Sequence, residues 1–339
     1  MSQSLAAVAR AMVARGKGIL AADESFGTIE KRFKSINLES TEENRRAYRD
    51  MLFSTKGLGE YISGVILFDE TLRQKSADGT PFPELLEKNG MIPGIKVDAG
   101  AKPLARCPGE TVTEGLDGLA KRCQEYVQLG AKFAKWRAVI DIGPGIPSST
   151  CIHTNAHALA RYAAICQDNG LVPIVEPEVL MDGDHTIDRC EEVTLWVLEE
   201  VFEQLFKQRV VLEEMVLKPS MVISGKKCPQ QASPREVAER TLQTLKRTVP
   251  AAVPGIAFLS GGQSDEIATE HLSLMNQLGG GPWALTFSYG RALQAPALKT
   301  WAGNAANVAA AQAALLHRAR MNSLAAKGEY KPELEKKAA

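Results

Sequence analysis

Short apolar runs recur along the chain at 18–25 (GILAADES), 64–70 (GVILFDE), 94–100 (GIKVDAG), 132–140 (KFAKWRAVI), 171–179 (LVPIVEPEV), 210–222 (VVLEEMVLKPSMV), 255–262 (GIAFLSGG) and 283–290 (WALTFSYG). Each is too short for an ordinary helix, and the set is rich in Val, Ile and Leu, the pattern of strands buried on both faces. Between them lie segments of helical periodicity, among them 157–170, 184–208 and 233–249. Ser233, Pro234 and Glu236 form a capping-box start for the last of these, and Asn169-Gly170 is a stop signal for the first. Eight strands alternating with helices, with no linker or charge block to divide them, predict a single (β/α)8 TIM barrel over residues 1–326. An open doubly wound sheet would normally carry a GxGxxG turn after its first strand, and ADESFGTIEKR supplies none. From Lys327 onward, KGEYKPELEKKAA reads as a polar, frayed tail.

Strand parity sorts the charges. Side chains alternate between faces, so a barrel interior holding Lys96 also holds Asp98, with Ile95 and Val97 turned to the helices. The same rule turns Lys135 and Arg137 inward and Ala134 and Trp136 outward; Glu176 and Glu178 go in, with Val175 out. Asp23 and Ser25 go in, with Leu20 and Ala22 out; Ser288 and Gly290 go in, with Leu285 and Phe287 out. Lys218 ends the sixth run at Pro219. Four bases and four acids therefore converge at the C-terminal mouth, the catalytic face of such barrels, where a purely structural core has no use for them.

Composition narrows the class. Lysine plus arginine and aspartate plus glutamate both number 40, a balance that argues against nucleic acid or an acidic membrane surface as partner. No apolar run is long enough to span a membrane. Arg10, Arg15 and Lys17 with no acid before Asp23 resemble a transit peptide, yet a strand starting near Gly18 leaves no room for a cleavable segment. Six cysteines without CxxC or framework spacing suggest free thiols in a reducing, cytoplasmic setting.

The convergent charges permit covalent chemistry. A buried lysine near a second cation loses its proton more readily, and a neutral amine attacks carbonyl carbon. Lys218 is the candidate nucleophile, Lys135 the neighbouring cation, and Glu176 the group placed to move protons. Glu178, two residues on, repels Glu176 and would keep one of the two protonated. LSGGQS at 259–264 follows the seventh strand and precedes a helix, so Ser260, Gly261 and Gly262 offer an anion site, with Arg291 of SYGR beside it. Lys96 and Arg137 across the mouth can hold a second anion, which implies a bisphosphorylated carbonyl substrate. His153 and His157, with Cys151 nearby, share i, i+4 spacing but lack a third ligand, and are expected to precede a helix rather than hold metal. No cofactor or metal is expected.

GILAADES, GIKVD, FAKWR, VPIVEPE, LKPSMV, FLSGGQS and PWALTFSYGRALQ, in this order from residue 18 to 294, resemble the class I fructose-1,6-bisphosphate aldolases. The resemblance implies a metal-free lyase of glycolysis and gluconeogenesis that cleaves fructose 1,6-bisphosphate reversibly to glycerone phosphate and glyceraldehyde 3-phosphate. It implies Lys218 as the Schiff-base lysine, Glu176 as principal acid/base, Asp23 as aligner of hydroxyls and Lys135 as polarising cation. Ser260, Gly261, Gly262, Ser288, Gly290 and Arg291 would hold the C1 phosphate; Ser25, Thr28, Arg32, Lys96 and Arg137 would serve the other end. A homotetramer is expected on the same ground. Phe26 stands where many members carry threonine, and the sequence closes at Lys337-Ala338-Ala339 without the terminal tyrosine of animal members, Tyr330 being internal. Two alternatives are a Schiff-base aldolase for another sugar phosphate and a barrel used as a binding scaffold.

Overall fold

Strands that are apolar on both faces need a layer on each side, and a sheet rolled on itself supplies both. In the computed structural model, which describes residues 4–337, the strands are β1 (Gly18–Ala22), β2 (Ile62–Leu67), β3 (Ile92–Lys96), β4 (Phe133–Ile140), β5 (Val172–Val179), β6 (Val216–Leu217), β7 (Gly255–Phe258) and β8 (Ala284–Tyr289). They form a closed parallel barrel in the order β1-β8-β7-β6-β5-β4-β3-β2. The ring is sealed where Ile19 pairs with Ser288 and Leu20 with Tyr289. Met1, Ser2 and Gln3 of the expected barrel and Ala338 and Ala339 of the expected tail lie outside the described residues.

Two apolar cores follow the parity rule. Leu20, Ala22, Ile95, Val97, Ala134, Trp136, Val175, Leu285 and Phe287 belong to the outer core between strands and helices. The inner core holds Ile19, Ala21, Ile66, Phe133, Val172, Ile174, Val216 and Ala257. Phe133 fills this interior because its neighbours lack side chains: a Cβ added at Gly94 would lie 2.2 Å from the ring. The helix Leu5–Met12 plugs the N-terminal end, with Val8, Ala9 and Met12 in the same inner core. The stretch suspected as a leader is thus part of the barrel floor.

Helix signals are largely realised. Ser233 accepts a hydrogen bond from the Glu236 amide at the start of Pro234–Thr248. The helix Ser149–Asp168 begins earlier than expected, so His153 and His157 lie within it rather than before it. His153 Nδ1 meets Glu200 at 2.7 Å and His157 Nδ1 meets Gln204 at 3.0 Å, so both rings bridge to the helix Ile187–Lys207.

Three local expectations are corrected. The run 210–222 is not one strand: Leu212–Glu214 is a 3-10 turn and pairing is limited to Val216–Leu217. After Lys218 the ladder gives way to a side-chain bridge, the Ser220 hydroxyl meeting both the amide and the carbonyl of Val179. An antiparallel hairpin, Ala101–Pro103 with Thr111–Thr113, follows β3 and was not foreseen; the Thr113 hydroxyl ties it to the Arg137 carbonyl at 2.7 Å. The tail is packed rather than frayed over its described residues: Tyr330 is 3% exposed, and Glu335 pairs with His317 and with buried Arg318.

Candidate active site

A cavity of about 690 Å³ opens at the C-terminal ends of the strands, and every candidate residue singled out from the sequence lines it. Lys218, 3% exposed, immediately follows the shortest strand and is held there by its amide, which donates to the Val175 carbonyl at 2.8 Å. Its Nζ lies 3.0 Å from Glu176 Oε1. Lys135 Nζ approaches the other oxygen of Glu176 at 3.3 Å and reaches Asp23 Oδ2 at 2.7 Å. Two buried ammonium groups from β4 and β6 thus flank one carboxylate from β5, with a second carboxylate beyond β1.

The electrostatics follow from that packing. Burial alone would push the Glu176 carboxyl up, but Lys135, Lys218 and Arg137 outweigh it and hold the group below its ordinary value. Asp23 behaves alike: burial opposes ionisation, and Lys135 and Lys218 more than reverse it. For Lys135 burial pulls down, while Asp23, Glu176 and Asp98 lift it above its usual range, so it stays charged. The expected repulsion between Glu176 and Glu178 does not leave Glu176 protonated. Arg137 Nε bonds Glu178, drawing that carboxylate into its own ion pair.

Around this centre lie donors for anions. Lys96 pairs with Asp98 at 2.5 Å, and Asp98 also accepts from the Arg137 amide, so the acid braces two cations on neighbouring strands. Ser25 precedes the helix Phe26–Lys34 without capping it; its hydroxyl and that of Thr28 lie 3.3 Å apart. Gly261 and Gly262 take φ of 55° and 83°, left-handed values that favour glycine. The Ser288 hydroxyl is buried and has no hydrogen-bond partner among the described residues. A buried polar atom left without one is costly, and this one faces the cavity. Arg32 stands beside Gly290, 3.6 Å from a Cβ built there, and so adjoins the Ser288–Arg291 group rather than facing it.

Several residues of the cavity wall and of its supports escaped the sequence reading. Glu24, pointed away from the interior by parity, is buried and binds Arg32 and the buried Arg49, the latter at 2.6 Å. Gln294 donates to both Glu24 and the Ala21 carbonyl, tying the end of β1 to the helix Arg291–Trp301. Parity was the available signal: an acid on the outer face of a buried strand must find a cation. Lys226, paired with Asp182 at 2.8 Å, also reaches the mouth near Gly262. Among the described residues no cluster of three or more His, Cys, Asp or Glu has a metal-holding arrangement. No described helix is long and apolar enough to cross a membrane.

The family model "Fructose-bisphosphate aldolase class-I" matches residues 4–339. The chain belongs to the class I fructose-bisphosphate aldolase family. It is 62% identical to a probable fructose-bisphosphate aldolase class 1 of Xanthomonas campestris pv. campestris, over 97% of this chain and 99% of that one. It is 56% identical to fructose-bisphosphate aldolase B of Gallus gallus, over 97% and 91% of the two chains. The fold is likewise that of the family: a solved fructose-bisphosphate aldolase of Plasmodium falciparum, in complex with TRAP and a small molecule inhibitor, superposes with a TM-score of 0.95 at 55% identity. That match covers 96% of this chain and 95% of the other.

Proposed function

We propose that the chain cleaves fructose 1,6-bisphosphate reversibly to glycerone phosphate and glyceraldehyde 3-phosphate through an imine on Lys218. The observation that carries this reading is the 3.0 Å contact of Lys218 Nζ with Glu176 Oε1, inside a cavity lined by further cations and by free backbone and hydroxyl donors. Glu176 takes the ammonium proton, and the freed amine attacks C2 of the open-chain sugar. Loss of water from the carbinolamine gives an iminium, the electron sink. Glu176, directly or through a water, removes the C4 hydroxyl proton; the C3–C4 bond breaks, its electrons pass into an enamine, and the aldehyde departs. Protonation of the enamine at C3 and hydrolysis of the imine return the amine. Asp23 aligns the hydroxyls, and Lys135, kept charged by its two carboxylates, stabilises negative charge as it develops. Arg137 and Glu178 form the adjoining pair on the wall, with Lys96 beside them.

For the phosphates, the C1 group is assigned to Ser260, Gly261, Gly262, Ser288, Gly290 and Arg291. The unpartnered Ser288 hydroxyl supports that assignment. Ser25, Thr28, Arg32, Lys96 and Arg137 serve the remainder of the sugar phosphate, with Arg32 bordering the C1 group. Borohydride reduction in the presence of glycerone phosphate tests the mechanism: a three-carbon adduct is expected on Lys218, and Lys218→Met should lower cleavage by at least about 10⁴-fold. Adduct on another lysine, or cleavage retained in Lys218→Met, overturns it. Comparing fructose 1,6-bisphosphate with its monophosphates discriminates against a neighbouring specificity.

The same proposal includes a reducing, cytoplasmic setting, supported by six free cysteines of which five are buried. It also includes self-association. Phe206 is 84% exposed and Trp196 44%, both on the helix Ile187–Lys207, an apolar exposure consistent with a covering subunit. Light scattering on the purified chain distinguishes a homotetramer from a monomer.

A further inference from the structure

Gln263 of the LSGGQS motif does not line the cavity, and it is buried at 6% exposure. Its polar atoms are nevertheless fully engaged. The backbone amide and the side-chain Nε2 both donate to the Ser260 carbonyl at 3.0 Å. Its own carbonyl accepts from Arg291 Nη2, while Arg291 Nη1 reaches Asp265 at 3.3 Å. Its Oε1 lies 2.6 Å from Nδ1 of His271, which stands on the helix Asp265–Gln277 and is 5% exposed.

These contacts fix one another. Burial holds the His271 imidazole down at about 4, so at neutral pH the ring carries a single N–H. An amide oxygen only accepts, so a hydrogen bond to Gln263 Oε1 requires that proton on Nδ1. With Oε1 held by the ring, Nε2 must face the Ser260 carbonyl. The reverse orientation would set oxygen against oxygen there and leave the ring N–H facing an NH₂ group. The turn 260–263 is therefore clamped by two donors on one carbonyl. Among the described residues the N–H groups of Gly261 and Gly262 donate to no backbone carbonyl, and both residues line the cavity. Two of the proposed phosphate-binding elements, the glycine turn and Arg291, thus hang on a single residue.

We propose that Gln263, oriented by His271, is a positioning residue for phosphate recognition: it fixes the glycine turn by its side chain and aims Arg291 by its carbonyl, without touching substrate. This rests on assigning the C1 phosphate to Ser260, Gly261, Gly262 and Arg291. Exact geometry at such a site matters, because displacement by about 1 Å costs on the order of 100-fold.

Gln263→Met and His271→Phe approximately conserve volume while removing the polar contacts. Each is expected to raise the KM for fructose 1,6-bisphosphate, and the inhibition constant of inorganic phosphate, by about 10-fold or more. Borohydride trapping of unphosphorylated dihydroxyacetone on Lys218 should stay at the wild-type level. Arg291→Ala serves as the reference. Should it weaken phosphate inhibition while both other variants leave it unchanged, the positioning role fails and the phosphate assignment stands; should all three leave it unchanged, the phosphate assignment fails as well. Equal losses with phosphorylated and unphosphorylated ligands mean general disruption and also overturn the role. Wild-type protein gives an independent reading that does not depend on either variant folding: ¹⁵N-histidine spectra should show His271 as the neutral Nδ1–H tautomer. The Nε2–H tautomer overturns the inference.

Discussion

Asp23, Lys135, Glu176 and Lys218 form a buried chain of alternating charge in which each member is kept ionised or engaged by its neighbours. Substituting one end has a defined cost. Asp23→Asn leaves Lys135 with Glu176 alone, and breaking a buried pair from one side costs on the order of 3 kcal/mol. Urea unfolding should show that loss, and cleavage should fall by roughly 100-fold through the missing proton and hydroxyl contacts. The same cluster sets a pH profile. Asp23 and Glu176 titrate lower in the folded chain than unfolded, so their contribution is present above the unfolded values of about 3.9 and 4.3 and is lost as pH falls through the folded ones. Lys135 titrates higher, so its contribution is present below about 10.4 and is lost as pH rises through its folded value. The cluster's share of the unfolding free energy should therefore be flat from about pH 5 to pH 10 and decline in acid, which urea midpoints across that range would check. In Asp23→Asn the acid decline should be shallower than in the wild type.

At the scale of elements, the segment after the helix Val308–Ala326 gives a separate test. Arg318, 3% exposed, is neutralised by Glu335 and also donates to the Thr269 hydroxyl at 2.7 Å and to the Asp265 carbonyl. Glu335→Ala strands a buried cation and should lower stability by about 3 kcal/mol in urea unfolding. Borohydride trapping at saturating glycerone phosphate should persist. Sequence alone hid this packing because KGEYKPELEKK is mostly polar, with only Tyr330 and Leu334 as large apolar anchors, and its partners lie far back in the chain. The barrel strands were legible for the opposite reason: period-two alternation is local, and once Lys96 was turned inward the faces of β1, β3, β4, β5 and β8 followed. β6 was not legible in its extent. A run of apolar letters does not say that Glu213 and Glu214 break into a 3-10 turn, or that a serine hydroxyl replaces the ladder after Lys218. Within the site, residues on the inner face were found and their supports were missed. Glu24 with Arg49, and Gln263 with His271, are pairings of distant or differently oriented groups that periodicity does not encode.

For the molecule as a whole, the two ends of the chain decide whether the barrel is complete. The helix Leu5–Met12 covers the inner core from below, so removing residues 1–13 would uncover Ile19, Ile174 and Val216. Each buried aliphatic side chain of this kind contributes roughly 1.5–3 kcal/mol. Such a truncation should lower the thermal midpoint and create binding sites for an apolar dye, whereas dye binding at the wild-type level would show the floor to be dispensable. The seam between β1 and β8 carries a consequence for biosynthesis. Leu20 pairs with Val65 of β2 on one side but finds its partner on the other side in Tyr289, so the ring stays open on the ribosome until the last strand, β8, has emerged. Asp23 and Arg291 stand on opposite sides of that gap, and a nascent chain holding every earlier strand still lacks Ser288, Gly290 and Arg291, three of the six residues assigned to the C1 phosphate. Its unpaired strand edges in that interval are the surfaces a chaperone would need to shield.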